Sequence, residues 1–177
     1  MLDGENKLIR DAIRGESSAF GLLYGHYQPQ IYRFIFLKVG RREEAEDVTH
    51  QVFLSAWTNV ASYKDRGHPF SSWLYQIARN KVIDFYRTQK ADLPLESAEE
   101  VFISSAESHL EDFETKATIE EVQQAILKLK PEYQEVIILR FVEDLSLKEA
   151  ALALGKSEGA VKLLQHRAVK NLKQHLT

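Results

Sequence analysis

Residues 147–176, LKEAALALGKSEGAVKLLQHRAVKNLKQHL, carry the pattern that most restricts how this chain can fold. Two short apolar-periodic segments meet at Gly155, and the second restarts after Ser157. Ala151, Gly155 and Val161 fall where a helix-turn-helix needs a small residue, a turn glycine and an apolar lock. Ser157 is a good N-cap, because its hydroxyl accepts a bond from one of the helix's orphan amides. Val161, Leu164, Ala168 and Leu172 follow helical spacing and predict a buried face. Lys162, Gln165, His166, Lys170 and Lys173 then fall outward, with Arg167 near the boundary. Lys and Arg suit phosphates, and Gln, His, Lys and Arg can all read base edges. The amides of the helix start suit one more phosphate. The pattern predicts a helix for the DNA major groove. An amphipathic helix that merely closes a small bundle has the same periodicity, so spacing alone leaves both readings open.

The rest of the chain also reads as helical. It has 177 residues, with four prolines and eight glycines, and few alternating β-branched runs. Leu8, Ile9, Ala12 and Ile13 mark a short first helix. Ser17 or Ser18 caps a second, with Phe20, Leu23 and Tyr27 on one face. Pro29 lies inside it and predicts a kink or break, before Ile31, Phe34, Ile35 and Val39 carry the apolar pattern to Gly40. A third helix is expected over about 42–57, with Ala45, Val48, Val52 and Trp57 inward. Residues 59–69 (NVASYKDRGHP) read as a loop, and 70–89 as a fourth helix burying Trp73, Leu74, Ile77, Ala78 and Val82.

Charge separates the next segment. Residues 91–121 hold ten acids and one base, a net −9, which leaves +6 for the remainder of a chain whose total is −3. Residues 91–114 lack sustained periodicity and read as an acidic linker. From Thr115 the helical period resumes, with Ile119, Val122, Ile126 and Leu129 on one face. Pro131 suits the first turn of a further helix carrying Val136, Ile137, Leu139, Arg140 and Phe141. Asp144 and Ser146 are expected to cap the helix-turn-helix. The expectation is an all-α fold: two small helical domains, 1–90 and 115–177, joined by an acidic linker at 91–114. There is no cysteine, which removes disulfides and thiolate metal sites. No apolar run approaches a membrane span, and no apolar signal region opens the chain, so a cytoplasmic protein is expected.

Two other stretches bear on function. In FSSWLYQIARNKVIDFYR (70–87) the polar residues Arg79, Asn80, Lys81, Asp84 and Arg87 interleave with Trp73, Tyr75, Phe85 and Tyr86. Cations beside rings suit melted nucleic acid, since charges hold phosphates while rings stack bases; a solvated face over a core of aromatics is the competing reading. The preceding loop adds Tyr63, Lys64, Arg66 and His68. In EEAEDVTHQVFLSAW (43–57) four acids crowd the helix start, where the dipole favours them. Asp47 and His50, or Glu46 and His50, have ligand-like spacing, but a zinc or di-iron site needs three or four ligands, so no metal is expected. Nucleophile elbows, glycine-rich phosphate loops and H-E-x-x-H motifs are absent from the sequence.

These three stretches, in this order, resemble bacterial RNA polymerase sigma factors of the extracytoplasmic-function group, over nearly the whole chain. AEDVTHQVFLSAW resembles the helix with which that family binds core polymerase. FSSWLYQIARNKVIDFYR resembles its promoter −10 helix, with the W-L-x-x-I-A-x-N-x-x-x-D framework, and residues 129–168 resemble its −35-binding domain. The resemblance implies a promoter-specificity subunit with no catalytic site and no cofactor. It implies core polymerase docking through Asp47, Val48, His50, Gln51 and Phe53. Capture of −10 DNA is implied for Tyr63, Lys64, Arg66, His68, Arg79, Asn80, Asp84 and Arg87. Contact with −35 DNA is implied for Ser157, Glu158, Lys162, Gln165, His166, Arg167 and Lys170. The implied partners are core RNA polymerase, promoter DNA and an anti-sigma factor.

The chain departs from the family pattern in places. His50-Gln51 replaces the usual Gln and acid, Gln134 stands where an Arg is frequent, and Leu164-Gln165 replaces the commoner Arg-Leu. Leu164 is expected to pack while Gln165 turns toward DNA. A DNA-binding regulator that uses the same C-terminal domain without polymerase is the competing class. Residues 43–87 discriminate, because such a regulator has no need of a polymerase-docking helix followed by an aromatic-basic one.

Overall fold

A computed structural model describes residues 2–91 and 113–176, with side chains from 119 onward in the second segment. The linker expected at 91–114 lies almost wholly outside the described residues. Every described element is helical. Helices α1 (Glu5–Ile13), α2 (Ser17–Val39), α3 (Arg42–Asn59) and α4 (Phe70–Ala91) form the N-terminal group, with a short 3-10 turn at Val60–Ser62. Helices α5 (Phe113–Leu127), α6 (Pro131–Ile137), α7 (Leu147–Leu154) and α8 (Glu158–Leu176) form the C-terminal group.

The N-terminal core follows the helical period. Leu23, Ile31, Phe34 and Ile35 of α2 meet Ala45, Val52 and Ala56 of α3 and Phe70, Leu74, Tyr75 and Ala78 of α4, and each of these is almost wholly buried. Rings fill the remaining space: Phe34 meets Tyr75 edge-on at 5.4 Å, and Phe20 packs on Trp57 at 5.0 Å. Glu5 is buried against the Tyr27 hydroxyl, which donates to its carboxylate and ties α1 to α2.

The break expected at Pro29 does not occur, and α2 runs unbroken for 23 residues. A proline ring removes one N–H and crowds the carbonyl four residues earlier. Here that residue is Gly25, and both it and Pro29 are exposed. The orphaned carbonyl therefore faces water, and packing of α2 on both neighbours outweighs the lost bond.

Three further expectations change in the C-terminal group. Ile119 and Val122 are exposed, 61% and 38%, and only Ala125, Ile126 and Leu129 of that stretch are buried. Among the described side chains of α5 the core is reached by those at its end, where Gln134, buried in α6, donates to the carbonyls of Leu127 and Leu129 and closes the helix. The helix expected through Phe141 also changes pitch. Residues Ile138–Val142 form a π turn, closed by Glu143 N–H donating to Ile138 C=O at 2.9 Å. The extra residue in that turn shifts the side-chain phase, so Phe141 becomes exposed while Arg140 and Glu143 swing toward other elements. Asp144 follows in the left-handed region at φ 51°, so it turns the chain and the cap falls to Ser146 alone.

Candidate nucleic-acid interface

The helix-turn-helix is built as its spacing predicts. Ser146 and Glu149 make a reciprocal cap on α7: the Ser146 hydroxyl accepts from Glu149 N–H at 3.2 Å, and the Glu149 carboxylate accepts from Ser146 N–H at 2.8 Å. Caps of this kind stabilise by about 1 kcal/mol. Gly155 ends α7 at φ 62°, a conformation that costs an L side chain and costs glycine little. Ser157 accepts from Ala160 N–H at 3.1 Å and starts α8. Val161 and Ala168 are fully buried, and Leu164 and Leu172 pack against the same core.

Lys162, His166, Arg167 and Lys170 stand exposed on one face of α8, with Ser157 and Glu158 exposed at its start. Gln165 lines one shallow hollow with Lys162, His166 and Phe141 but is less exposed than the two cations. It is half-buried, and its side-chain oxygen accepts from Arg140 Nε at 2.9 Å. Arg140 also donates to the Leu145 carbonyl, so the π turn delivers the group that holds Gln165 back. An arginine only donates, so Gln165 must turn its oxygen to it and keep its NH2 for other partners. The expected face also omits Leu163, which is 52% exposed. Leu163 follows Lys162 and lies one turn before His166 and Arg167, so it shares their stripe. The helical period alone could have placed it there.

In the N-terminal group, Lys64, Arg66 and His68 are exposed on a loop held by Asp65, which accepts from Gly67 N–H at 2.9 Å. Tyr63 is anchored beneath them, 5.3 Å from Phe70 and 5.0 Å from Trp73. Its hydroxyl donates to the His68 carbonyl at 3.3 Å. Burial, with smaller contributions from Asp65 and Glu5, pushes the Tyr63 phenol up to about 12. The loop thus offers cations on an aromatic footing. On α4, Asn80, Asp84 and Arg87 are exposed. Arg79 is not with them. Its Nε lies 3.1 Å from a Glu135 carboxylate oxygen and its Nη1 donates to the Ala153 carbonyl at 3.3 Å. The C-terminal group covers that side of α4, so Arg79 leaves the set of free candidate DNA contacts in this structure.

On α3, Asp47, His50 and Gln51 are exposed, but Val48 and Phe53 are 3% and 4% exposed. Phe53 meets Tyr24 edge-on at 4.7 Å. Both side chains support the helix from beneath and offer nothing to a partner, because the period that turns Ala45 and Val52 inward carries them too. The outer stripe continues instead through Leu54, 58% exposed, beside the half-exposed Tyr24. Glu46 accepts from Arg42 at 2.8 Å. Among the described residues no three His, Cys, Asp or Glu side chains gather in a metal-binding group.

This arrangement of two helical groups matches known sequence families in the same order. Residues 23–91 match the model of Sigma-70 region 2, and residues 119–172 match that of Sigma-70, region 4. The ECF RNA polymerase sigma factor SigW of Bacillus subtilis is 32% identical over 185 residues, covering 96% of this chain and 95% of SigW. The chain belongs to the extracytoplasmic-function group of the sigma-70 family. A second relative, the ECF RNA polymerase sigma factor BldN of Streptomyces coelicolor, is 38% identical over 171 residues; the match covers 94% of this chain and 63% of BldN's length. Among solved structures, CnrH in complex with the cytosolic domain of CnrY superimposes with a TM-score of 0.75 at 25% identity, over 98% of this chain and 97% of CnrH. Regions 2 and 4 of this sigma factor fit promoter recognition and transcription initiation. Among the described residues no helix is long and apolar enough to cross a membrane.

Proposed function

We propose that this sigma factor docks on core RNA polymerase through α3 and directs it to promoters, reading the −35 element with α8 and holding melted −10 DNA with the 61–68 loop and α4. The exposed stripe of Lys162, Leu163, His166, Arg167 and Lys170 on a doubly capped helix-turn-helix carries the reading. Asp47, His50, Gln51 and Leu54 form the docking stripe. The domains are 1–90 and 115–177, with 91–114 as the acidic tether between them. The chain acts as a non-catalytic specificity subunit, in the cytoplasm with the polymerase it serves. An anti-sigma partner, implied by the family resemblance, belongs to the same reading; the similar CnrH is solved in complex with the cytosolic domain of CnrY.

Opening a base from the stack costs a few kcal/mol. A pocket for the opened base offsets that cost without ATP; Asn80, exposed on α4, and Lys64, Arg66 and His68, exposed on the preceding loop, supply hydrogen-bonding and cationic groups for it. In holoenzyme carrying Asn80→Ala, permanganate reactivity of −10 thymines is expected to fall while duplex promoter affinity holds. An equal loss of both, or of neither, would refute the assignment.

A further inference from the structure

Gln165 stands where the family more commonly has leucine, and its side chain is held by a group that the π turn brings to it. Arg140 lies in that turn. Its Nε donates to the Gln165 side-chain oxygen at 2.9 Å, and its Nη1 donates to the Leu145 carbonyl. The Leu145 peptide is fixed in turn, because its N–H donates to the Leu139 carbonyl at 2.9 Å. Arg140 is therefore anchored to backbone on one side while it grips Gln165 on the other. Both side chains are half-buried, where a hydrogen bond from a charged donor is stronger than one between neutral groups. A guanidinium has five N–H donors and no acceptor. Of the two ends of the Gln165 amide, the oxygen must face Arg140, and the NH2 group must face elsewhere. The side chain lines an open hollow of about 410 Å³ with Phe141, Lys162, His166 and Val169.

We infer that Arg140 is a positioning residue for promoter sequence: it fixes Gln165 as a hydrogen-bond donor, so that α8 takes an acceptor-bearing base edge, guanine best, and rejects cytosine at one position of the −35 element. This rests on the promoter reading proposed above, since it needs α8 in the major groove. A free glutamine is ambiguous there. Rotation about its last side-chain bond presents either the NH2 group or the oxygen, so it can serve a base that accepts or a base that donates. Pinned by Arg140, it presents the NH2 group. Guanine offers that group two acceptors, N7 and O6; adenine N7 and thymine O4 offer one each. Cytosine offers only the N4 amino group, a donor. Two donors set against each other in a closed groove lose their hydrogen bonds to water and gain none. Lys162 and His166 rim the same hollow, so the side chains that grip the duplex bring its base edges to Gln165. A leucine at this position makes no hydrogen bond, which makes the discrimination a property of this chain's Arg140 and Gln165 together.

The test uses holoenzyme assembled from the full chain and core polymerase, transcribing a promoter library randomised across the −35 element. Transcript counts give the base preference at each position. On the contacted strand the wild type is expected to disfavour cytosine against guanine by about fivefold or more at one position. Gln165→Leu is expected to flatten that position and no other. Gln165→Glu still accepts from Arg140 but offers DNA no donor, so the preference there is expected to invert toward cytosine, whose N4 amino group a carboxylate accepts. Arg140→Met frees the amide to turn and is expected to remove most of the cytosine penalty; beside Gln165→Leu it is expected to change no base preference. A merely structural role for Arg140 gives a uniform loss of transcription with every preference kept. That result, or a Gln165→Glu profile matching the wild type, would overturn the inference while leaving α8 on the −35 element. A wild type indifferent to every −35 position would overturn the promoter reading and the inference with it. If Arg140→Met lowers helical circular dichroism, the two Gln165 substitutions decide alone, because they leave the Arg140 bond to the Leu145 carbonyl in place.

Discussion

Replacing Lys162 and Arg167 together by alanine tests the reading helix through a quantity that depends on charge rather than on fold. Both side chains project from the exposed face of α8, and neither belongs to the core that Val161 and Ala168 fill. The substitution therefore removes two cations without opening a cavity. Each phosphate contact on duplex DNA contributes about 0.9 to the slope of log affinity against log salt. If both residues hold phosphates, the slope shrinks by about 1.8. Between 50 and 200 mM salt one such contact is worth about a 3.5-fold change in affinity, so the pair accounts for about twelvefold. The assay is fluorescence anisotropy of a duplex carrying the factor's own −35 element, titrated with the full chain at four or more salt concentrations. A shallower line for the variant is expected on that duplex and on a scrambled one alike, because phosphates carry no sequence. An unchanged slope with unchanged affinity would refute the placement of α8 on DNA. An unchanged slope with weaker binding only to the specific duplex would move both residues from phosphates to base edges.

Two further outcomes concern the exposed Leu163 on α8 and the outer stripe of α3. Leu163 is expected to lie against a thymine methyl, the one apolar feature of the major groove; replacing the contacted thymine by uracil should weaken the wild type by about 1 kcal/mol and leave Leu163→Ser indifferent. In binding assays with core polymerase, Leu54→Glu should weaken association with little change in stability. Phe53→Ala should instead lower the unfolding free energy by about 3–5 kcal/mol, as removal of a buried aromatic does. The opposite pattern would return Phe53 to the docking face.

The parts of the fold that local chemistry specifies were legible in the chain. Ser146, Glu149, Gly155 and Ser157 mark the helix-turn-helix because caps and left-handed turns demand particular residues at particular offsets. The α2, α3 and α4 cores follow the 3.6-residue period. What escaped the sequence has a common physical origin: it depends on what lies across from a residue. Pro29 breaks helices on average, yet here packing on the neighbouring helices keeps α2 a single element. Val48 and Phe53 look available in the docking motif until Tyr24 and the rest of the core cover them. Gln165 sits at an outward position, but a π turn with no sequence signature brings Arg140 to meet it. Arg79 reads as a DNA contact because nothing local reveals Glu135, 56 positions away in the chain. Leu163 is the exception, since the period that placed Lys162 and His166 outward placed it between them.

Promoter choice by RNA polymerase in the presence of this chain can be read out directly. The direct measurement mixes the full chain with core polymerase and genomic DNA and sequences the 5′ ends of the transcripts. Starts are expected that are absent with core alone and that share one −35 element and one −10 element at fixed spacing. Transcripts indistinguishable from those of core alone would contradict it.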